Sequence, residues 1–164
     1  FSPVYLIVRP DDTRFDRSYE ALNDPKVKLA VLDGEMSEVI ARQNFPQAKV
    51  DSIPQTSDYS LLTKEVETKK ADATIIEPIT FAEYNAHNPG KLKIANKSNP
   101  ISVFAGGYGV PLNDLAFKRM IDVTLNELMY NHTVERLLKK YEKYPGTMFL
   151  PALPYQLPPS TGKK

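Results

Sequence analysis

Seven residues stand where ligand-binding chemistry is expected, in the turns that follow three apolar segments: Asp33, Gly34, Glu35, Met36, Ser37, Ser57 and Glu77. In an open α/β sheet, ligands bind in the crevice beyond the carboxyl ends of the strands. The first two turns each lead into a helix, whose free N–H groups and positive end suit an anion such as a carboxylate. The carboxylate of Glu77 could accept hydrogen bonds from an ammonium group. Together the turns predict a zwitterion site, but these residue types are also ordinary helix caps, and spacing alone leaves both interpretations open.

The sequence lacks the motifs of the common enzyme classes. It contains no serine-hydrolase elbow, no phosphate-binding loop and no dinucleotide fingerprint. Residues 106–109 (GGYG) are rich in glycine but precede a predicted strand, whereas a phosphate-binding loop precedes a helix. The two histidines, His87 and His132, are far apart and have no ligand pattern beside them. We therefore expect no catalytic residue, no metal site and no cofactor.

Composition and charge exclude several partners. The 21 basic and 20 acidic side chains give a net charge of +1, which argues against a nucleic-acid-binding protein. Cysteine is absent, which excludes disulfides, thiolate zinc sites and a cysteine nucleophile. No apolar run approaches the roughly 20 residues of a membrane-spanning helix, and Phe1 opens a strand-like segment with no signal peptide. We expect neither nucleic-acid binding nor membrane insertion.

The elements that must position the candidate residues alternate between strands and helices. Strands are predicted at residues 1–9, 27–32, 48–53, 73–76, 92–95, 101–104 and 108–110, and helices at residues 36–45, from caps at 56–58 through 70, and from 78 to 88. The connections between these elements are short. Strands that alternate with short helices predict a mainly parallel sheet with helices on its faces.

Two amphipathic helices are predicted near the end of the chain. Their apolar faces consist of Phe117, Ile121, Leu125 and Leu128 in the first helix and of Val134, Leu137, Leu138 and Tyr141 in the second. Such faces need a partner surface. We expect that surface to come from an unseen N-terminal segment, another copy of the chain or crystal contacts.

Five segments of the chain carry a family resemblance through their order and spacing. They are residues 1–9 (FSPVYLIVR), 28–37 (KLAVLDGEMS), 69–77 (KKADATIIE), 107–110 (GYGV) and 141–144 (YEKY). They are similar, in that order, to the "FS.PYY…VLVVRK", "KVGVQ.GTT", "GRVDAVIVD", "YGIAV" and "YEKW" segments of extracellular solute-binding proteins of family 3. These proteins are the periplasmic polar amino acid receptors of ABC importers.

The resemblance implies an α/β fold, namely a type II periplasmic-binding lobe with a mainly parallel sheet flanked by helices, plus a C-terminal helical pair from an incomplete first lobe. It assigns residues 1–10 to the hinge and a first-lobe strand, 11–103 to the second lobe, 104–144 to the hinge return and first-lobe helices, and 145–164 to a Pro-rich tail. It implies a periplasmic or extracellular module that binds a small, polar, amino-acid-like solute by lobe closure. A membrane permease or a sensor is then the implied protein partner.

The resemblance also gives roles to the candidate residues. Glu35, Met36 and Ser37 occupy the anchor for the ligand's α-carboxylate, and Glu77 replaces the aspartate that binds the α-amino group. Glu35 stands where the family prefers threonine or serine, so its carboxylate would repel an anionic ligand. Glu77 is one methylene longer than aspartate. These departures favour a cationic or peptide-like ligand, or a cleft that has lost its ligand.

Two alternatives come from other functional classes. The first is a lyase of the periplasmic cyclohexadienyl dehydratase type on the same fold, with Glu77 or Glu35 as the acid or base. The second is an accessory or scaffold protein with a degenerate cleft, whose Pro-rich tail docks onto a partner. Turnover of a substrate would indicate the lyase. No turnover, together with a ligand affinity that does not change with pH, would indicate the binding module.

Overall fold

The computed structural model describes residues 1–150 and divides the chain into two units. The larger unit is Ser2–Phe104. The smaller unit consists of Phe1 and the described residues from Ala105 onward. Most of the predicted Pro-rich tail, residues 151–164, lies outside the described residues.

The larger unit contains the alternating strands and helices predicted from the sequence. Its strands are β1 (Ser2–Val8), β2 (Lys28–Leu32), β3 (Lys49–Ile53), β4 (Ala73–Ile76), β5 (Lys93–Ile94) and β6 (Ser102–Phe104), and its helices are α1 (Met36–Asn44), α2 (Ser60–Glu67) and α3 (Pro78–His87). A 3-10 turn, Glu20–Leu22, lies between β1 and β2. Pro78 begins α3, where its missing N–H costs no helical hydrogen bond.

The sheet has the strand order β3-β2-β4-β1-β5, and β6 pairs with β1. Strand β2 is parallel to β3 and β4, whereas β1 is antiparallel to β4, β5 and β6. Five strands therefore run in one direction and β1 runs in the other, which confirms the predicted α/β class with a mainly parallel sheet. Strand β1 pairs within the sheet of the larger unit, and the assignment of residues 1–10 to the hinge and the first lobe stays a prediction. The assignment of the chain to two functional lobes stays a prediction.

Alternation along the strands divides the core between the two faces of the sheet. On β1, Leu6 and Val8 join the cluster that packs against α1, whereas Tyr5 and Ile7 join the cluster that packs against α2 and α3. Successive side chains of a strand point to opposite faces, so a strand buried on both faces must be apolar throughout. Leu6, Ile7 and Val8 are all completely buried, which makes β1 the central strand of the core.

A charged network lies at the sheet edge where β1 ends and β2 begins. The carboxylate of Asp72 accepts a hydrogen bond from the Lys28 backbone N–H (2.9 Å) and pairs with Arg14 (2.8 Å) and Arg9 (3.6 Å). Arg14 also donates two side-chain hydrogen bonds to Asp12, at 3.0 and 2.7 Å. The hydrogen bonds from Arg14 lower the pKa of the Asp12 carboxyl. These hydrogen bonds and ion pairs connect the turn after β1 to the starts of β2 and β4.

Stability is expected to fall in acid partly because Asp12 loses this pairing. Its side chain is only 7% exposed, and a carboxyl with a lowered folded pKa stabilises the fold above its unfolded pKa, near pH 4, and ceases to do so as pH falls through the folded pKa. Asp12→Asn should therefore lose less stability between pH 5 and pH 2.5 than the wild type, by about 1 kcal/mol. Urea unfolding at both pH values measures the difference. An equal loss in both proteins would contradict the assignment.

The smaller unit contains the two predicted amphipathic helices, α4 (Leu115–Tyr130) and α5 (Thr133–Tyr141). Asp114 caps α4 by accepting a hydrogen bond from the Phe117 N–H at 2.9 Å. Within the described residues neither helix has a buried side chain. Large apolar side chains that are exposed here include Leu112, Leu115, Phe117, Met120, Val123, Leu137 and Tyr141.

The strand predicted at residues 108–110 is wrong. The described backbone there is irregular, and Tyr108 is 75% exposed. A strand needs a neighbour to pair its N–H and C=O groups, and β6 ends at Phe104 without continuing into this segment. Among residues 1–150, none of the helices has the length and apolar character needed to cross a membrane.

Candidate functional site

The candidate residues lie at the edge of the sheet where β2, β3 and β4 end. Because β2 is parallel to both of its neighbours, the carboxyl ends of these three strands lie side by side, near Leu32, Ile53 and Ile76. Each strand is followed by a helix that begins near this edge, namely α1, α2 and α3. This is the edge at which open α/β sheets bind ligands.

The turn after β2 is held by its own side chains. Gly34 has a φ of 70°, in the left-handed region that favours glycine, and its N–H donates to the Glu38 carboxylate at 2.8 Å. That hydrogen bond, together with those from Arg42, lowers the pKa of Glu38. The hydroxyl of Ser37, which is 9% exposed, accepts a hydrogen bond from the Leu32 N–H at 3.2 Å. Ser37 therefore closes the turn, and a direct role for it in ligand binding stays a prediction.

Three residues precede the first turns of the three helices. Glu35 is the N-cap of α1, Tyr59 that of α2 and Glu77 that of α3, and none of the three side chains makes a capping hydrogen bond. Glu35 is half-buried and Glu77 is exposed. Their carboxylates are therefore not used to complete the helices, which leaves them available to a ligand.

The charges of both glutamates act on the Tyr59 hydroxyl. Partial burial raises the pKa of its hydroxyl, and so do the negative charge of Glu35, a hydrogen bond with Glu35 and the charge of Glu77. The aromatic side chain is 43% exposed. The structure thus gathers Glu35, Tyr59 and Glu77 at one edge. Sequence reasoning missed Tyr59 because it lies one residue beyond the cap candidates at 56–58, where no motif marks it.

The other predicted site residues, Asp33, Met36 and Ser57, lie in the turns and the first helical turn beside this edge. Asp33 is exposed, and Met36 is 45% exposed at the first position of α1. The Ser57 N–H closes a turn by donating to the Pro54 carbonyl at 2.9 Å. The N-terminus of α2 is served by Asp58, whose carboxylate accepts from the Ser60 N–H at 2.7 Å. A role for Ser57 in ligand binding stays a prediction.

A groove of about 400 Å³ lies between α2 and α3 and includes Tyr59 in its wall. The other lining residues are Asp58, Ser60, Thr63, Thr80, Glu83, Tyr84, His87 and Asn88. Neither lysine nor arginine is among them. The groove is therefore lined by carboxylates, hydroxyls and aromatic side chains, which suit a cation better than an anion.

Glu35 and Glu77 bring negative charge to this edge. The ion pairs of residues 1–150 include neither Glu35 nor Glu77. No group of three or more His, Asp or Glu side chains in this range is placed to hold a metal ion. Two carboxylates beside an exposed phenol ring can instead hydrogen-bond and pair with an ammonium group.

No protein-family model matches the chain, and no curated protein matches it. Solved structures do match its fold. A putative binding component of an ABC transporter from Wolinella succinogenes, complexed with lysine, is 19% identical at a TM-score of 0.72 and aligns over 88% of this chain and 60% of its own. An ancestral amino acid-binding protein, described as a precursor of cyclohexadienyl dehydratase, is 22% identical at a TM-score of 0.66, over 87% and 57% of the two chains.

A mutant of ArgBP from T. maritima is also similar, with 22% identity, a TM-score of 0.62 and coverage of 87% of this chain and 58% of that one. Because the identities are this low, the structural similarity establishes the fold alone. The predicted type II periplasmic-binding fold, as found in solute-binding proteins of family 3, is confirmed. The chain spans less than two thirds of the length of each of these structures.

Proposed function

We propose that the chain is the solute-binding part of an extracytoplasmic receptor and takes a small, amine-bearing, amino-acid-like solute. One observation carries the proposal. The chain has the fold of amino-acid-binding proteins, and the helix N-caps Glu35, Tyr59 and Glu77 lie at the edge where such sheets bind ligands. A ligand-binding role explains why polar and aromatic side chains at this edge do not cap their own helices.

The residues divide the recognition between them. Glu77 accepts hydrogen bonds from the ligand's ammonium group, and Glu35 supplies a second negative charge. The first N–H groups of α1, at Met36 and Ser37, and the positive end of that helix remain available for a polar oxygen of the ligand. The turn built on Gly34 and Glu38 keeps these groups in place before the ligand arrives, which reduces the entropy lost on binding.

The receptor closes a second lobe over the solute and presents the closed form to a membrane permease or a sensor. The exposed apolar faces of α4 and α5 support this proposal, since apolar helix faces of this extent are normally covered by another protein surface. The chain's coverage of 57–60% of the similar structures also supports a further lobe in the working receptor. We place its work in the periplasm or outside the cell, as the resemblance to family 3 solute-binding proteins implies.

A lyase of the cyclohexadienyl dehydratase type is the second candidate, because one protein of this fold is described as a precursor of that enzyme. In such an enzyme Glu77 or Glu35 would exchange a proton with the substrate. Incubation of the chain with a cyclohexadienyl substrate distinguishes the two functions. Formation of an aromatic product would replace the binding module by an enzyme.

A ligand screen tests the proposed function. The full chain is heated with each of the twenty amino acids, several small amines, dipeptides and the dianion glutarate, and isothermal titration calorimetry then measures the affinity of any solute that raises the unfolding midpoint. We expect stabilisation by at least one amine-bearing solute, of about 2.7 kcal/mol when its concentration is about 100 times Kd, and none by glutarate. A panel in which no solute shifts the midpoint would overturn the proposed function.

A further inference from the structure

We propose that the groove between α2 and α3 is a docking site for an arginine side chain of a protein partner. The groove has a volume of about 400 Å³. Four of its lining residues, Thr80, Glu83, Tyr84 and His87, are spaced i, i+3, i+4 and i+7 and so form one face of α3. The inference goes beyond the proposed function, because this face runs along α3 away from the strand ends.

Two hydroxyl groups of the groove direct their hydrogen atoms towards the protein. The Tyr84 hydroxyl donates to the Glu67 carboxylate at 3.1 Å. The hydroxyl of Thr63, whose side chain is completely buried, donates to the Ser60 carbonyl at 2.8 Å. A hydroxyl whose hydrogen atom is used in this way still has a lone pair that can accept another hydrogen bond. Both groups therefore offer acceptors, rather than donors, to an occupant of the groove.

The histidine of the groove also offers an acceptor. His87 Nδ1 lies 3.0 Å from the backbone carbonyl oxygen of Glu83, one turn earlier on α3. Because a carbonyl oxygen can only accept, Nδ1 carries the hydrogen atom, and Nε2 of the neutral ring keeps its lone pair. The Asn88 amide donates one N–H to the Tyr84 carbonyl at 3.1 Å and keeps its oxygen as an acceptor.

Negative charge adds to these acceptors. The described wall of the groove includes the carboxylates of Asp58 and Glu83 but no lysine or arginine. Lys64 of α2 is held by an ion pair with Glu67 at 3.1 Å and does not line the groove. An occupant that complements this wall carries a positive charge and donates several hydrogen bonds without having to accept any.

A guanidinium group meets these requirements better than an ammonium group does. It presents five N–H donors in one plane, has no acceptor and stacks on aromatic rings, and the groove supplies the rings of Tyr59 and Tyr84. Sites for small molecules bury about 70–90% of the ligand surface, whereas Glu83 and His87 are exposed along this groove. The groove therefore fits a side chain that projects from another protein.

A matched pair of probes tests the inference. N-acetyl-L-arginine amide carries the guanidinium group, and N-acetyl-L-citrulline amide replaces that group by a neutral urea. The full chain, labelled with ¹⁵N, is titrated with each probe, and the amide signals are followed. We expect the arginine probe to bind with a Kd on the order of 1 mM, with its largest shifts at residues 58–63 and 80–88, and the citrulline probe to bind at least about fivefold more weakly.

Three results would overturn the inference: equal binding of the two probes, shifts of the arginine probe centred elsewhere, or no shifts at about ten times the expected Kd. Free L-arginine, if it shifted residues 80–88 at much lower concentration than the amide probe, would show that the groove recognises a solute rather than a partner's side chain. The amide probe lacks the ammonium group that the proposed solute site requires, so its failure leaves the proposed function standing.

Substitutions on α3 assign the binding to named side chains. Tyr84→Leu should weaken binding of the arginine probe roughly fivefold, whereas Tyr84→Phe, which keeps the ring, should retain most of the affinity. Glu83→Gln, at an exposed position, should also weaken it roughly fivefold. Glu20→Gln, an exposed glutamate in the 3-10 turn, is the control for net charge and should leave the affinity unchanged. Equal affinities in Glu83→Gln and Glu20→Gln would remove the charge of the groove from the site and overturn the inference.

Discussion

Replacing Glu77 by glutamine is expected to weaken the binding of an amine-bearing solute by roughly ten- to a hundredfold. Glutamine keeps the size and the hydrogen-bond acceptor but removes the charge, and hydrogen bonds between ionised groups are about twice as strong as neutral ones. Glu77 is exposed and makes no capping bond, so the substitution should leave the unfolding midpoint unchanged. Calorimetry with the solute found by the screen measures the loss.

The control for this substitution is Glu20→Gln. Glu20 is an exposed glutamate in the 3-10 turn after β1, away from the edge where β2, β3 and β4 end. Its neutralisation changes the net charge by the same amount, so any long-range effect of charge appears in both variants. Equal losses of affinity in Glu77→Gln and Glu20→Gln would show that Glu77 does not touch the ligand.

Truncation of Phe15 is expected to have the largest effect on stability, a loss of about 3–5 kcal/mol in Phe15→Ala. The ring is completely buried in the cluster that packs against α1, and its face carries the Arg14 guanidinium at 4.8 Å from the ring centroid. Removing it leaves a cavity that the strands cannot fill, and it also disturbs the charged network that includes Arg14. Urea unfolding followed by circular dichroism measures the change.

Leu61→Ala is the control for the Phe15→Ala truncation, because the Leu61 side chain on α2 is 43% exposed. It removes a large apolar side chain from the same unit, yet it creates no buried cavity, so its cost should stay within about 1 kcal/mol. A loss of stability in Phe15→Ala as small as that in Leu61→Ala would contradict the burial of Phe15. It would also mean that the segment between β1 and β2 does not contribute to the core.

The alternation of strands and helices between β2 and α3 could be predicted because each element carries a strong local signal. The strand at Ala73–Ile76 is apolar except for Thr74, and Pro78 marks the start of the next helix. Apolar runs of this length between turn residues are typical of strands buried on both faces. The structure places most of these elements within a residue or two of the predicted bounds, whereas α2 ends at Glu67, three residues before its predicted end.

The segment between β1 and β2 could not be read in the same way. Phe15 and Leu22 are completely buried, and their i,i+7 spacing would fit a helix, yet the stretch is irregular apart from the 3-10 turn at Glu20–Leu22. These two side chains are buried because the segment crosses the face of the sheet that packs against α1, and this path is set by tertiary contacts. The direction of β1 is likewise set by its pairing with β4, β5 and β6, which are distant in sequence, and hydrophobic pattern carries no information on direction.

The candidate site was predicted in outline but not in detail. Strand-end turns identified Glu35 and Glu77, because position after a buried strand is a property of the sequence. The inward hydrogen bond of Ser37 and the approach of Tyr59 to both glutamates depend on side-chain directions at three separate helix starts. Those directions are fixed by packing and could not be obtained from spacing.

Mapping the ligand site through the backbone amide signals of the protein tests the central claim most directly. The full chain, labelled with ¹⁵N, is titrated with the amine-bearing solute found by the ligand screen, and the shift of each amide signal is followed. We predict that the largest shifts will lie at the starts of α1, α2 and α3, at Met36, Ser60 and Ile79 and their neighbours, with little change in α4 and α5. Shifts centred on α4 and α5 at saturating solute would contradict a solute site at the carboxyl edge of this sheet.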